Sequence, residues 1–300
     1  MIQEYVFEDK KIGSSFLVSL IADSKEQAWS TYKDLALIAD EYEQRFSRFR
    51  PDSELSQLNE HGTVRASVQF REMITLAKTL YDETGGTFNP LVDIARFGYD
   101  KDIALVRGLE HEGPAVDPYA ISFEGVEYDN GHITFTHGQR IDMGGFLKGH
   151  MAEVLALVAQ KQGIAGGIVN VGGDSYTWGR DAQGERFQFE IEHPTTPEAP
   201  LLFSCENSAL ATSGSYKRKW KRNNTEQFHI LDASGLQNPN TDVESVTVLT
   251  QSGARADAFA TTALILGSTK GSAFLTQRQC AYCFILKDGS VRSSPDFFTL

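Results

Sequence analysis

The sequence predicts an α+β fold in one large domain, residues 1–300, with mixed and antiparallel sheets flanked by helices. Predicted strands occur as hairpins and singly between helices, whereas a doubly wound parallel sheet would alternate strand and helix throughout. The 300 residues have 41% hydrophobic content, which is enough to bury a sizeable core. No linker, low-complexity tract or repeat divides the chain.

Helices are predicted where apolar residues recur at steps of three and four. Ser24 and Gln27 have the spacing of a capping box at the start of the first helix, and its aromatic stripe from Trp29 to Phe46 is predicted to lie in the core. Further helices are predicted at residues 67–84, 151–160, 256–266 and 270–277. Residues 54–59 predict only a short turn-like segment after Pro51.

Strands are predicted at short runs rich in β-branched and aromatic residues. These runs are residues 15–22, 126–128, 132–136, 166–174, 187–191, 201–203, 209–214, 228–231, 244–250 and 280–286. Asn130-Gly131 predicts a tight hairpin turn between the second and third runs. Residues 87–90 are predicted to form an exposed loop, and residues 98–118 irregular structure.

Composition excludes some classes of partner. The net charge of −12 argues against a nucleic-acid surface, which needs clustered Lys and Arg. The dense basic run Lys217–Arg222 is predicted to be a solvated loop, with a funnel for an anionic ligand as the alternative.

Localisation is predicted from what the sequence lacks. No run approaches 18 apolar residues and the first residues do not resemble a signal peptide, so a cytoplasmic protein without direct membrane insertion is expected. An exported or lipid-anchored form trimmed of its signal would have the same sequence.

The three cysteines are too few for a disulfide framework. Cys280 and Cys283 have a spacing found in metal sites, but they lie in an apolar run that predicts a buried strand. A structural role is therefore favoured over zinc binding, which would require a second pair of ligands.

The stretch Arg140–Val154 has the features of an anion-binding loop. Two glycines, Gly144 and Gly145, allow a phosphate to approach the backbone, Lys148 supplies a cation, and a helix follows whose first N–H groups lack partners. A plain turn before a helix is the alternative.

Asp257 and Thr261 lie four residues apart on a predicted helix, so both oxygen-bearing side chains share one face. A carboxylate and a hydroxyl suit Mg²⁺, and a loop carbonyl such as that of Gly145 would complete such a set. Alternatively, Asp257 caps the helix and Thr261 bonds back to its own helix.

His229 is predicted in a strand between apolar residues, either as a hydrogen-bonded structural residue or as a general base or orienting donor. Asn170 precedes Gly172-Gly173, and it either contacts a polar ligand or forms the turn.

Together the motifs resemble the ApbE family, the FAD:protein FMN transferases, over roughly residues 12–267. The segments that carry the resemblance, in order, are 12–16 (IGSSF), 53–59 (SELSQLN), 84–90 (TGGTFNP), 141–149 (IDMGGFLKG), 169–173 (VNVGG), 211–216 (ATSGSY), 229–232 (HILD) and 256–261 (ADAFAT).

The resemblance implies a Mg²⁺-dependent enzyme that cleaves FAD, transfers FMN to a Thr or Ser hydroxyl of a target flavoprotein and releases AMP. It implies roles for single residues as well. Asp142 and Lys148 match positions at the FAD, and His229 matches a histidine tied to catalysis. The metal site is matched by the Gly145 backbone with Asp257 and Thr261. The turn beside the nucleotide is matched by Asn170, Gly172 and Gly173, and a nearby binding loop by Ser213 with Gly214.

Lys148 and Mg²⁺ together would neutralise charge during phosphoryl transfer, which agrees with the residue chemistry. Two motifs depart from the family pattern. In the segment 84–90, Asn89 replaces an acidic FAD contact, and the Gly-Pro that usually follows is lost. In the first motif, Ile12 replaces Met.

Two other functions remain open. One is FAD hydrolysis to FMN and AMP at the same site, and the other is non-catalytic flavin binding.

Overall fold

The computed structural model describes residues 2–101, 103–106, 110–113, 116, 118–119, 121–196 and 198–298. In these residues the α-helices are α1 (Lys25–Phe46), α2 (Glu54–His61), α3 (Val68–Glu83), α4 (Ile103–Val106), α5 (Leu147–Lys161) and α6 (Gly253–Gln277), with a 3₁₀ turn at Ile94–Phe97. None of the described helices is both long and apolar enough to cross a membrane.

The strands of the described residues follow the same chain order. They are β1 (Gln3–Lys11), β2 (Ser14–Ala22), β3 (Thr63–Arg65), β4 (Glu110–His111), β5 (Val126–Asp129), β6 (His132–Phe135), β7 (Gly166–Val171), β8 (Asp174–Trp178), β9 (Phe187–Ile191), β10 (Leu201–Cys205), β11 (Ser208–Gly214), β12 (Lys219–Arg222), β13 (Thr225–Phe228), β14 (Val243–Thr250), β15 (Ala281–Leu286) and β16 (Val291–Ser293).

The chain forms two compact units. Unit 1 comprises Met1–Glu41, Phe146–Gly214 and Asp242–Leu300, and unit 2 comprises Tyr42–Gly145 and Ser215–Thr241. That the whole chain is one domain stays a prediction.

Unit 1 contains an eight-stranded sheet in the order β1-β2-β7-β8-β11-β14-β15-β16, in which each pairing is antiparallel. Ala209 and Ala211 of β11 pack against Ala256 of α6, while Leu210 between them packs with Phe203 of β10. Because successive side chains of a strand point to opposite faces, the sheet is covered on both sides. The predicted α+β class with antiparallel sheets is confirmed.

Unit 2 contains two small sheets, β3-β6-β5 and β13-β12-β4, with α2 and α3. The α3 side chains predicted to share one face, Phe70, Ile74, Ala77 and Leu80, are all buried. The predicted hairpin is confirmed as β5 and β6, and Asn130 and Gly131 have the two positive φ angles of its tight turn.

Several local predictions were wrong. Residues 54–59 belong to the helix α2, whose N-cap Ser53 accepts a hydrogen bond from Ser56 N at 2.9 Å. Only Leu55 and Leu58 of α2 are buried, so its apolar period was too short to predict a helix. The two helices predicted at residues 256–266 and 270–277 are confirmed, because α6 consists of two helical parts joined by a kink at Gly267, whose φ and ψ angles of 78° and 167° are not helical. Only the start differs, since the first part begins earlier, at Gly253.

Two segments predicted to be exposed are anchored by buried aromatic residues. Phe88 in the loop 87–90 is only 5% exposed. Residues 219–222 of the basic run form β12 rather than a loop, and Trp220 there is 2% exposed and donates to Phe97 O at 2.7 Å. Both predictions relied on the polar composition of the segment. Burial of a single aromatic ring is enough to hold such a segment against the core.

Trp29 in the predicted core stripe of α1 is 49% exposed, although it stacks on Tyr32 at 5.5 Å. The predicted irregular segment 98–118 contains α4 and β4, and its residues 102, 107–109, 114–115 and 117 lie outside the described residues. Cys283 is buried in strand β15, as predicted, and Cys280 is buried directly before it. Burial raises the pKa of the Cys283 thiol to about 12.

Candidate active site

Lys148, Asp174 and Asp257 meet in the interior of unit 1. The ammonium of Lys148 forms a short ion pair with Asp174 Oδ2 and lies 3.8 Å from Asp257 Oδ2. Asp174 is 2% exposed and Asp257 5%. Burying charge is costly unless the charges are paired, so these three side chains depend on one another.

Two helices bring Lys148 and Asp257 together. Lys148 lies in the first turn of α5 and Asp257 in the second turn of α6. The helices touch backbone to backbone where Gly149 faces Gly253, since a Cβ added at Gly149 would lie 2.1 Å from Gly253 O. Glycine at both positions therefore permits the close approach that forms the cluster.

The start of α6 is fixed by a side chain of α5. Glu153 accepts hydrogen bonds from Gly253 N at 2.7 Å and from Ser252 Oγ at 3.3 Å. A carboxylate at a helix N-terminus satisfies free N–H groups and complements the helix dipole. Asp257 therefore does not cap the helix, which was the alternative left open by the sequence.

Thr261 lies one helical turn beyond Asp257, and its hydroxyl is 3.0 Å from that of Ser213 on β11. Thr262, the next residue, is the one that bonds back to its helix, at Ala258 O. The structure thus places Ser213 beside Thr261, near the end of the strand β11 that was predicted at residues 209–214, and the binding role that the resemblance implies for Ser213 stays a prediction.

Gly172 and Gly173 form the tight turn between β7 and β8, and Asn170 lies near the end of β7. Gly172 and Gly173 have φ angles of 61° and 103°, and the side chain of Asn170 accepts from Gly173 N at 3.3 Å and donates to Ser175 Oγ at 2.6 Å. Asn170 is therefore a turn former in this structure, and its nucleotide contact stays a prediction. The turn places Asp174 at the first position of β8.

Asp142 in unit 2 is held by two groups. Its Oδ2 accepts from Arg48 at 2.8 Å, and its Oδ1 accepts from Gly144 N at 2.7 Å. The Arg48 guanidinium also lies over the rings of Phe49 and Tyr99, at 4.6 Å and 4.4 Å from their centroids.

Asn89 and Gly145 lie in the same unit. Asn89 donates to Ile121 O at 2.8 Å and accepts from Leu91 N at 3.0 Å, so its amide holds the loop around it. Gly145 lies against the ring of Phe88, where a Cβ would come within 2.8 Å. The FAD contact predicted for Asn89 and the metal contact predicted for Gly145 both stay predictions.

His229 lies just after β13 in unit 2, not within a strand as predicted, because pairing in β13 ends at Phe228. The amide of Asn238 holds the backbone on both sides of it. Its nitrogen donates to Phe228 O and Ile230 O, each at 2.7 Å, and its oxygen accepts from Phe228 N at 3.2 Å.

Comparison with known proteins gives the family. The sequence pattern of the ApbE family matches residues 12–284. The chain belongs to the ApbE family.

Relatives of similar length carry one name. A FAD:protein FMN transferase from Vibrio cholerae is 27% identical over 288 residues, which cover 89% of this chain and 81% of the relative. Another from Salmonella typhimurium is 24% identical over 314 residues, which cover 98% of this chain and 88% of the relative.

Solved structures share the fold. The flavin transferase ApbE from Vibrio cholerae has a TM-score of 0.77 at 25% identity, over 99% of each chain. The ApbE protein from Thermotoga maritima has a TM-score of 0.86 at 20% identity, over 98% of this chain and 97% of the other. The predicted ApbE-like architecture is therefore confirmed.

The donors of this ApbE chain suit a hard cation. Asp257 offers carboxylate oxygens and Thr261 a hydroxyl, which are the groups that Mg²⁺ binds. The carboxylates of Asp174 and Asp257 and the ammonium of Lys148 carry a net charge of minus one, which favours a cation. No group of three or more His, Cys, Asp or Glu side chains gathers in the described residues, so a metal here would keep waters or ligand oxygens.

Sequence reasoning missed Asp174, Arg48 and Asn238. Asp174 directly follows the Gly-Gly turn, and this position was the one available signal. Arg48 carried no signal, because its partner Asp142 lies 94 residues later in the chain.

Proposed function

We propose that this chain transfers FMN from FAD to a Thr or Ser hydroxyl of a target flavoprotein, with Mg²⁺ as cofactor and AMP as the second product. The FAD:protein FMN transferases of Vibrio cholerae and Salmonella typhimurium support the reaction. The observation that carries the proposal is the buried cluster of Lys148, Asp174 and Asp257, because it combines a cation for phosphate with a carboxylate for a metal.

In this reaction the acceptor hydroxyl oxygen attacks the phosphorus of the FMN half of FAD. A new P–O bond forms, the bond between that phosphorus and the bridging oxygen breaks, and AMP leaves with the bridging oxygen. The hydroxyl proton passes to a base, for which His229 is the candidate. Positioning and charge neutralisation supply most of the catalysis in such transfers.

Lys148 provides a fixed positive charge for the phosphates, and its place in the first turn of α5 adds the partial positive charge of a helix N-terminus. Asp257 and Thr261 would hold Mg²⁺, together with the carbonyl of Gly145 as the family resemblance implies. When bound, the ion supplies further neutralisation of the pyrophosphate.

The acceptor is proposed to be a flavoprotein with a stretch resembling Asp-Gly-x-Thr/Ser-x-Ala-Thr. The test is to co-express a candidate acceptor with this chain and to measure the acceptor's intact mass. A gain equal to one covalently bound FMN on the Thr or Ser supports transfer.

Incubation of the purified chain with FAD and Mg²⁺ alone separates the alternatives. Rapid AMP release without an acceptor would replace transfer with hydrolysis. FAD that remains intact with Mg²⁺ and acceptor present would contradict an enzyme and favour non-catalytic binding.

A further inference from the structure

Asp174 is more buried than Asp257, the other carboxylate of the cluster. It contacts the Lys148 ammonium directly, whereas Asp257 is 3.8 Å from the same ammonium. The Lys148 ammonium is therefore paired more closely with Asp174 than with Asp257.

The position of Asp174 is fixed by its hairpin. It pairs with Val171 across the Gly172-Gly173 turn, and Asn170 braces that turn through Gly173 N and Ser175 Oγ. A rigid carboxylate facing a flexible Lys side chain determines where the ammonium rests.

The alternative resting place of the ammonium is Asp257. A buried ammonium must stay paired, so loss of the charge on Asp174 would draw Lys148 onto the remaining carboxylate. There it would occupy the oxygen that a divalent cation needs, and the two positive charges would repel each other.

We propose that Asp174 is a positioning residue that holds the Lys148 ammonium off Asp257 and so keeps Asp257 available to Mg²⁺. This inference rests on the proposed function, which assigns the metal to Asp257.

The first test is Asp174→Asn, which keeps the side-chain shape and removes the charge. Magnesium binding is measured with Mg²⁺ alone, by calorimetry and by the Mg²⁺-induced rise in melting temperature, and the Mg²⁺ dependence of transfer is measured alongside. We expect the Mg²⁺ dissociation constant to rise by about tenfold or more, because the cluster loses its net negative charge. Asp34→Asn is the matched control, because Asp34 is an exposed carboxylate of α1 that accepts from Gln162.

Two further variants separate positioning from simple damage. Asp174→Glu, which retains the charge, should recover most of the Mg²⁺ affinity. Lys148→Met combined with Asp174→Asn restores a net charge of minus one and removes the competing ammonium, so its Mg²⁺ affinity should return to within about threefold of wild type while transfer stays low.

The outcomes distinguish this inference from the proposed function. Unchanged Mg²⁺ affinity in folded Asp174→Asn, or a double variant no better than the single one, would overturn the inference alone. Wild-type protein that transfers FMN but binds no Mg²⁺ would overturn both the inference and the assignment of the metal. Wild-type protein that binds Mg²⁺ but transfers no FMN would overturn only the function.

Discussion

At the scale of single residues, side chains that hold other groups in place account for much of the site. Arg48 fixes Asp142, Asn170 fixes the turn before Asp174, and Asn238 fixes the backbone around His229. The partners of Arg48 and Asn238 lie 94 residues away or are backbone atoms, so no motif identified these two residues, whereas Asn170 was predicted from its place before Gly172-Gly173. Lys148 and Asp257 were singled out by their local patterns, a glycine loop before a helix and a pair of oxygen-bearing side chains four residues apart, but their proximity could not be read from residues 109 positions apart.

Asn238 offers a direct test at this scale. Asn238→Asp can still accept from Phe228 N but cannot donate to the carbonyls of Phe228 and Ile230. We expect a loss of about 1–3 kcal/mol in the free energy of unfolding, because two half-buried carbonyls lose their donor and face a negative charge.

If His229 acts in the transfer, kcat for FMN transfer should also fall, about tenfold, while KM for FAD changes little. Asn207→Asp at an exposed turn is the control, since the side-chain oxygen that accepts from Gly179 N at 3.0 Å is retained in Asp. Equal stability of the two variants would contradict the role given to Asn238.

His150 makes the stability of the chain depend on pH. Burial lowers the pKa of this α5 histidine from 6.5 to about 4, so the folded state holds it neutral where the unfolded chain binds a proton. Its contribution is present above about pH 6.5 and is lost as the pH falls towards 4, by up to about 1.4 kcal/mol per pH unit.

Urea unfolding of wild type and His150→Gln at a series of pH values measures how much His150 contributes to the pH dependence of the free energy of unfolding. The variant should lose less stability than wild type between about pH 6.5 and about pH 4.5. His61→Gln, at an exposed histidine, should follow wild type. If the free energy of unfolding fell equally with pH in wild type and His150→Gln, His150 would not be the cause of the pH dependence.

At the scale of elements, the sequence predicted most helices and strands, because their apolar periods are long or their turns carry strong signals. The hairpin at Asn130-Gly131 and the buried face of α3 are clear cases. The helix α2 and the buried loop around Phe88 were missed because tertiary contacts, rather than local pattern, decide them.

The contact of α5 with α6 is the element-scale feature on which the site depends. Gly149→Ala would place a Cβ 2.1 Å from Gly253 O, so the helices must separate. We expect a loss of about 1–3 kcal/mol in the free energy of unfolding from this overpacking.

The rate of FMN transfer should fall by more than the loss of folded protein explains, because the separation of the helices moves Lys148 away from Asp257. Denaturant unfolding and the rate of acceptor flavinylation check the two effects. A variant as stable and as active as wild type would show that the close approach of the helices is not required.

At the scale of the whole molecule, the predicted α+β class and the family membership hold across nearly the entire chain. The net charge of −12 argues against a nucleic-acid partner, which stays a prediction, and composition could not identify the acceptor. The acceptor's identity depends on surface complementarity to another protein, which no pattern within this chain encodes.

The cluster containing Asp257 is proposed to support transfer of FMN to a protein. The most direct test of this proposal is to quantify AMP and flavinylated acceptor together, for wild type and for Asp257→Ala, in the presence of FAD and Mg²⁺. Asp174 still pairs with Lys148 in the variant, so the fold should persist, and its circular dichroism spectrum checks this.

Wild type should release one AMP for each FMN attached, and Asp257→Ala should slow both by about a hundredfold or more. Asp257→Ala that flavinylates the acceptor at the wild-type rate would contradict the account.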